Sequence, residues 1–143
     1  MNLQKESSMP DFPSVATLIP HRDPAIVVDK ILSFENGAIR CERTVGSDEH
    51  YGPGLSSEGI VEFCAQSALC KEALASSGGP KTGVIAGIDD FAFFKNATAG
   101  DVLVVETATR TKFGKLSVFE CTVFRGALHA EKIAHGHIKA ALT

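Results

Sequence analysis

Residues 57–77 read SEGIVEFCAQSALCKEALASS, and they decide the fold because they form the one long helical run in a chain that otherwise reads as strands and turns. Ser56 stands at the N-cap position and Leu55 before it is placed to staple against Ile60. Glu58 brings negative charge to the first turn, where the helix dipole favours it. Gly78-Gly79-Pro80 terminates the run. Apolar side chains surround the first half, and Gly59, Ala65, Ser67, Ala68, Ala73 and Ala75 permit close approach on several faces. That is the pattern of a buried helix rather than an amphipathic surface one. Within it lie Glu62 and, one turn on, Gln66, among Ile60, Val61, Phe63, Cys64 and Ala65. Burying a carboxylate there is costly unless it is hydrogen-bonded, so Glu62 is either a surface position or a working group.

Strand patterns lie on both sides of the helix. Residues 25–34 are rich in β-branched side chains and end at Glu35-Asn36-Gly37, a strong hairpin signal, with residues 38–45 as the return strand. Residues 15–19 suit a single helical turn before Pro20. The stretch GSDEHYGPGL, residues 46–55, is a glycine-rich loop. Beyond the helix, strands are expected over 83–95, with a bulge at Asp89-Asp90, then 102–112, 116–125 and 128–142. The last four strands, joined by short turns, are expected to form a meander. The architecture that follows is α+β, a curved antiparallel sheet of about six strands wrapped around one central helix.

The chain has 143 residues, enough for one domain spanning 1–143, with 1–14 expected to be flexible. A formal net charge of −3 with 22% charged residues argues against a nucleic-acid binder. Cys41, Cys64, Cys70 and Cys121 lack metal-type spacing and read as reduced thiols. The first twenty residues lack a signal-peptide core, and no apolar run approaches the ~18–20 residues that span a bilayer, so a cytoplasmic protein is expected.

Three motifs, in order, carry a family resemblance. Leu18-Ile19-Pro20-His21-Arg22-Asp23-Pro24 with Val27-Val28-Asp29-Lys30, then Glu62-Phe63-Cys64-Ala65-Gln66, then Gly87-Ile88-Asp89 with Ala99-Gly100-Asp101 resemble motifs of the FabA/FabZ-like hotdog-fold 3-hydroxyacyl-[acyl-carrier-protein] dehydratases. The C-terminal half, including Val118-Phe119-Glu120-Cys121, is most like the branch associated with aryl polyene synthesis. The resemblance implies a hotdog fold and elimination of water from 3-hydroxyacyl thioesters to give 2-enoyl thioesters. It implies a substrate on the phosphopantetheine of acyl carrier protein or on CoA, with no other cofactor. It also implies a dimer in which a histidine of one subunit works with the helix carboxylate of the other, either a homodimer or a heterodimer with another hotdog subunit.

Such an elimination needs a base for the proton beside the carbonyl, an acid for the departing hydroxyl, and a donor for the charge on the thioester oxygen. Carried over by motif, Glu62 takes the carboxylate role and Gln66 orients it or binds the sheet. The backbone N–H near Ser57 is the oxyanion donor, since first-turn N–H groups are free. His50 is the candidate histidine. Where the family carries that histidine this chain has Asp48, and His50 stands two residues closer to Glu62 (50 − 48 = 2). Tyr51 then fills a packing position. His21, in the Pro-His-Arg turn, is assigned a structural part. His129, His135 and His137 have a spacing that can bind metal, but only Glu131 stands near to complete a set, so no metal site is expected. Arg110, Lys112, Lys115 and Arg125 either receive an acidic carrier or make a hairpin tip soluble. Two other readings remain open, a hotdog acyl thioesterase using the same helix carboxylate and a non-catalytic subunit of a heterodimeric dehydratase.

Overall fold

The structure, a computed structural model, describes residues 11–22, 25–47, 54–76, 82–126 and 131–142. Among these, six strands form one antiparallel sheet and one long helix crosses its concave side. A 3₁₀ turn at Val15–Thr17 precedes β1 (Lys30–Glu35) and β2 (Ala38–Thr44). Helix α1 (Ser57–Ala75) follows, then β3 (Gly83–Phe93), β4 (Val102–Phe113), β5 (Leu116–Arg125) and β6 (Glu131–Leu142). The order across the sheet is β1-β2-β4-β5-β6-β3.

The β1–β2 hairpin turns at Asn36 and Gly37, both at positive φ (54° and 76°), as a two-residue Asn-Gly turn requires. Strand β1 starts later than the β-branched run suggests, because the N–H groups of Val27 and Val28 bond the Gln66 side chain of α1 instead of a neighbouring strand. The predicted bulge is present: the β3–β6 register shifts between Asp89 and Ala92, and Asp90 sits at φ 54°.

One expectation is corrected. The last four strands are not a meander, because only β4, β5 and β6 follow one another, while β3 pairs with β6 at the far edge. The Ala99-Gly100-Asp101 turn that enters β4 is bonded to the end of β2, through Val45 N–H to Asp101 O (2.8 Å) and Gly100 N–H to Val45 O (2.9 Å). Those long-range bonds deliver β4 beside β2, and no local turn signal encodes them.

Helix α1 begins as read. The Ser56 hydroxyl accepts the Gly59 N–H at 3.2 Å, capping the first turn. Leu55 lies against Gly59, where an added Cβ would stand 2.5 Å from Leu55 Cδ1, so a glycine is needed at that position for this close approach. The helix stops at Ala75 with Ser76 extended. The Gly78-Gly79-Pro80 terminator lies outside the described residues. Ile60, Phe63, Cys64, Ala68 and Leu69 are buried against Ile39, Cys41, Leu103, Val105, Phe119, Cys121 and Ile138. A large apolar side chain such as Phe63, fully buried, contributes about 1.5–3 kcal/mol. A polar link joins helix to sheet within this core: the Ser67 hydroxyl donates to Cys64 O at 2.8 Å and accepts from Thr107 Oγ1 at 2.6 Å. All four cysteines are free and buried. Among the described residues no helix is long and apolar enough to cross a membrane.

Candidate active site

Gln66 organises the site. It is fully buried, and its carboxamide is saturated: Oε1 accepts Val27 N–H at 2.8 Å, while Nε2 donates to Ala25 O at 2.9 Å and to Glu62 Oε2 at 2.8 Å. The i, i+4 spacing puts Glu62 and Gln66 on one helix face. The Gln66 amide thus bonds the Glu62 carboxylate and, in place of the expected sheet strand, the backbone of the extended segment that precedes β1. Glu62 is about one-quarter exposed. Its Oε1 has no hydrogen-bond partner among the described residues.

The Pro20-His21-Arg22 turn folds over this carboxylate. Arg22 Nη1 bonds Ile19 O (3.1 Å) and His21 O (2.6 Å), and Ala25 N–H returns to Arg22 O. The turn so formed holds His21 Nε2 3.3 Å from Glu62 Oε2. The sequence assigns His21 a structural part; the structure in addition sets it against the Glu62 carboxylate. The contact joins residues far apart in the chain through the anchoring of the segment on Gln66, and no local pattern announces it.

Glu62 faces two spaces. The first is a mainly apolar cavity of about 80 Å³ between α1 and strands β3, β5 and β6, bounded by Ala65, Leu69, Phe119, Ile138 and Leu142, with His21, Glu62 and Gln66 as its polar wall. The second is an open groove bounded by Ser57, Glu58, Val61, Glu62, Ile88, Phe91 and Phe93. Phe91 reaches this groove because the bulge turns it across Gly136, where any Cβ would run into its ring. Ser57 thus lies beside Glu62 at the helix start, where backbone N–H groups point outward. His50, with Asp48 and Tyr51, lies outside the described residues.

The remaining candidates separate from this site. His135 Nε2 lies 2.9 Å from Glu120 Oε2, whose other oxygen takes Arg110 at 3.0 Å. These partners hold the Glu120 carboxyl below its ordinary range, His135 chiefly and Arg110 next. His137 meets His135 edge-on, and His129 lies outside the described residues. Among the described residues no group of His, Cys, Asp and Glu has the arrangement of a metal site. The basic residues are largely neutralised within the chain: Arg110 by Glu120, Lys112 by Glu72 (3.1 Å), and Arg125 by Asp101 and Glu131. That pairing favours the solubilising reading over a carrier-docking patch.

The fold and this site define a hotdog-type protein with a helix carboxylate at the mouth of an apolar cavity. The family model of the ApeP-like proteins, described as ApeP dehydratase, matches residues 13–142, and the chain belongs to that family. It is 31% identical to the 3-hydroxyacyl-[acyl-carrier-protein] dehydratase FabZ of Ruminiclostridium cellulolyticum, over 90% of this chain and 94% of that one. The FabZ of Caldicellulosiruptor saccharolyticus is 27% identical over 94% of this chain and 99% of its own length. Among solved structures, the dehydratase heterocomplex ApeI:P of Xenorhabdus doucetiae superposes with a TM-score of 0.79 at 17% identity, covering 93% of each chain. The E. coli PaaI protein from the phenylacetic acid degradation operon superposes at 0.62 with 16% identity, covering 78% of this chain and 81% of that one. At such identities these two likenesses speak for the fold alone.

Proposed function

We propose that this chain eliminates water from 3-hydroxyacyl thioesters to give 2-enoyl thioesters, with the acyl group carried on acyl carrier protein or CoA. The observation that carries the reading is Glu62, held on one oxygen by Gln66 and without a hydrogen-bond partner on the other among the described residues, at the mouth of an apolar cavity suited to an acyl chain. Glu62 moves a proton at the reacting carbons through Oε1. The first-turn N–H of Ser57 receives the charge that grows on the thioester oxygen. His50 is the candidate for the second proton-transferring group, supplied across a subunit boundary. The pantetheine arm belongs to the substrate, and the reaction needs no other cofactor. Free, buried thiols fit a reducing, cytoplasmic setting.

A second hotdog subunit completes the site. Strand β3 is a sheet edge, yet Val84, Ile88 and Phe94 on and just after it are 69%, 48% and 53% exposed, and the groove beside Glu62 is open on that side. An exposed apolar edge of this kind is suited to pairing. The partner is a second copy or a related hotdog chain; Asp48 at the family's histidine position favours testing the related chain as well.

The test is conversion of a synthetic 3-hydroxyacyl thioester, followed by enoyl absorbance and thiol release together. Enoyl product lost in Glu62→Gln supports the reading. Thiol release without enoyl product replaces it with thioester hydrolysis. Activity that arises only when a second hotdog subunit is added assigns this chain to a heterodimer.

A further inference from the structure

Resting on the dehydratase reading of Glu62, we infer that His21 is a positioning residue for that carboxylate and fixes which of its oxygens meets the substrate. The imidazole Nε2 lies 3.3 Å from Glu62 Oε2, the same oxygen that takes the Gln66 amide at 2.8 Å. The His21 contact is looser than an aligned hydrogen bond, as contacts in substrate-free sites often are before they tighten in the complex. Two groups converging on Oε2 leave Oε1 as the oxygen that exchanges the proton.

The ring is placed there by structure of its own. Arg22 clamps the turn through Ile19 O and His21 O, and Gln66 anchors the following segment through Ala25 O and Val27 N–H. One glutamine therefore registers both the carboxylate and the backbone that carries the imidazole. The other ring nitrogen, Nδ1, is buried with no partner among the described residues. A side chain that only filled space would be better apolar, because a buried polar atom without a partner is unfavourable. The imidazole is accounted for by what Nε2 does at Glu62. His135 offers the contrast: its carboxylate partner Glu120 is shared with Arg110, and neither lines the cavity or the groove that Glu62 faces.

The experiment uses the full chain, in its active assembly, with a 3-hydroxyacyl N-acetylcysteamine thioester and the variants His21→Phe and His21→Gln. Phenylalanine keeps the ring and removes the donor; glutamine keeps a donor near the Nε2 position. His21→Phe is expected to lower kcat about 10- to 100-fold, the size of effect a misplaced reacting group produces, with KM little changed, and His21→Gln to recover most of the loss. Wild-type turnover in His21→Phe, or an equal loss in both variants, overturns the inference. A second readout does not depend on turnover. In ¹H–¹⁵N imidazole spectra, Glu62→Gln should move the His21 Nε2 resonance and leave His135 in place, while Glu120→Gln does the reverse. An unmoved His21 resonance overturns the inference whatever the activity. A moved resonance in a protein that makes no enoyl product supports the His21–Glu62 coupling and removes the dehydratase reading instead.

Discussion

Helix α1 carries two acidic side chains in mainly buried surroundings, Glu62 in its first half and Glu72 in its second, and they are treated in opposite ways. Both oxygens of Glu72 are engaged, Oε2 with Lys71 Nζ at 3.5 Å and Oε1 with Lys112 Nζ at 3.1 Å, and Lys71 also donates to Thr109 at 2.8 Å. Lys71 and Glu72 are each only 7% exposed, so the charges are compensated where they are buried. Glu62 has Gln66 and His21 on one oxygen, no lysine or arginine in contact among the described residues, and an apolar cavity in front of it. The Glu72 carboxylate, with lysines on both oxygens, ties α1 to β4; the proposed function asks of Glu62 instead that it transfer a proton beside the cavity.

Four sets of measurements test the contrast between Glu62 and Glu72. The largest effect is expected for Glu62→Gln, which should lower dehydration turnover by about 10²–10⁴-fold while leaving the thermal midpoint nearly unchanged. Enoyl formation and calorimetry on one preparation check both halves. A large fall in stability would make Glu62 a structural residue like Glu72.

Glu72→Ala should do the opposite. It strands a buried lysine and is expected to cost about 3–5 kcal/mol of stability, read from urea unfolding, with turnover per folded molecule retained. The pair Lys71→Met with Glu72→Leu removes both charges and should be close to neutral or stabilising, since desolvation offsets much of what such a pair gains. If the double variant is as unstable as Glu72→Ala, packing rather than charge explains the loss.

Gln66→Leu joins the two behaviours. It leaves the Val27 N–H and Ala25 O without their partner and releases Glu62, so stability should fall by about 1–3 kcal/mol and turnover should fall with it. Loss of either property alone would separate the anchoring of the segment from the holding of the carboxylate.

The smallest effect concerns the thiols of the same helix, a third kind of titratable group. Burial pushes the Cys70 thiol up to about 12 and raises Cys64 well above the ordinary value, as it does Cys41 on β2, where the charge of Cys70 adds to the effect. The unfolded chain ionises these thiols near their ordinary value of 9.0, before the folded protein does. Stability from this source is therefore full below pH 9 and declines as pH climbs toward 12. Urea midpoints measured between pH 8 and 11 should fall along this course, and Cys70→Ala should flatten part of it. A midpoint independent of pH would show that the thiols reach solvent in the folded state.

Much of the fold is legible in local chemistry. The Asn36-Gly37 turn, the Ser56 cap, the Asp89-Asp90 bulge and the buried composition of α1 each follow from backbone preference or periodicity within a few residues. The strand order is not, because the turn before β4, closed locally by its own Thr98–Asp101 bonds, is also bonded to Val45 just past β2, far away in the chain. The site divides in the same way. Glu62 and Gln66 lie one helical turn apart, so their meeting could be read from spacing. The approach of His21 depends on a segment whose N–H groups bond a glutamine on another element. Nor does the sequence announce Lys71, Glu72 and Lys112 as a group, since their common partner surface is a strand distant in the chain.

Local sequence suffices to bury one helix against an antiparallel sheet and to place a carboxylate and an amide on a single face of it. Periodicity, caps and turns act over a few residues and need no knowledge of the rest of the molecule. It takes the folded arrangement to set Glu72 between two lysines and to stand His21 beside Glu62. Those outcomes depend on side chains brought together from separate elements, and on whether the space between them is filled.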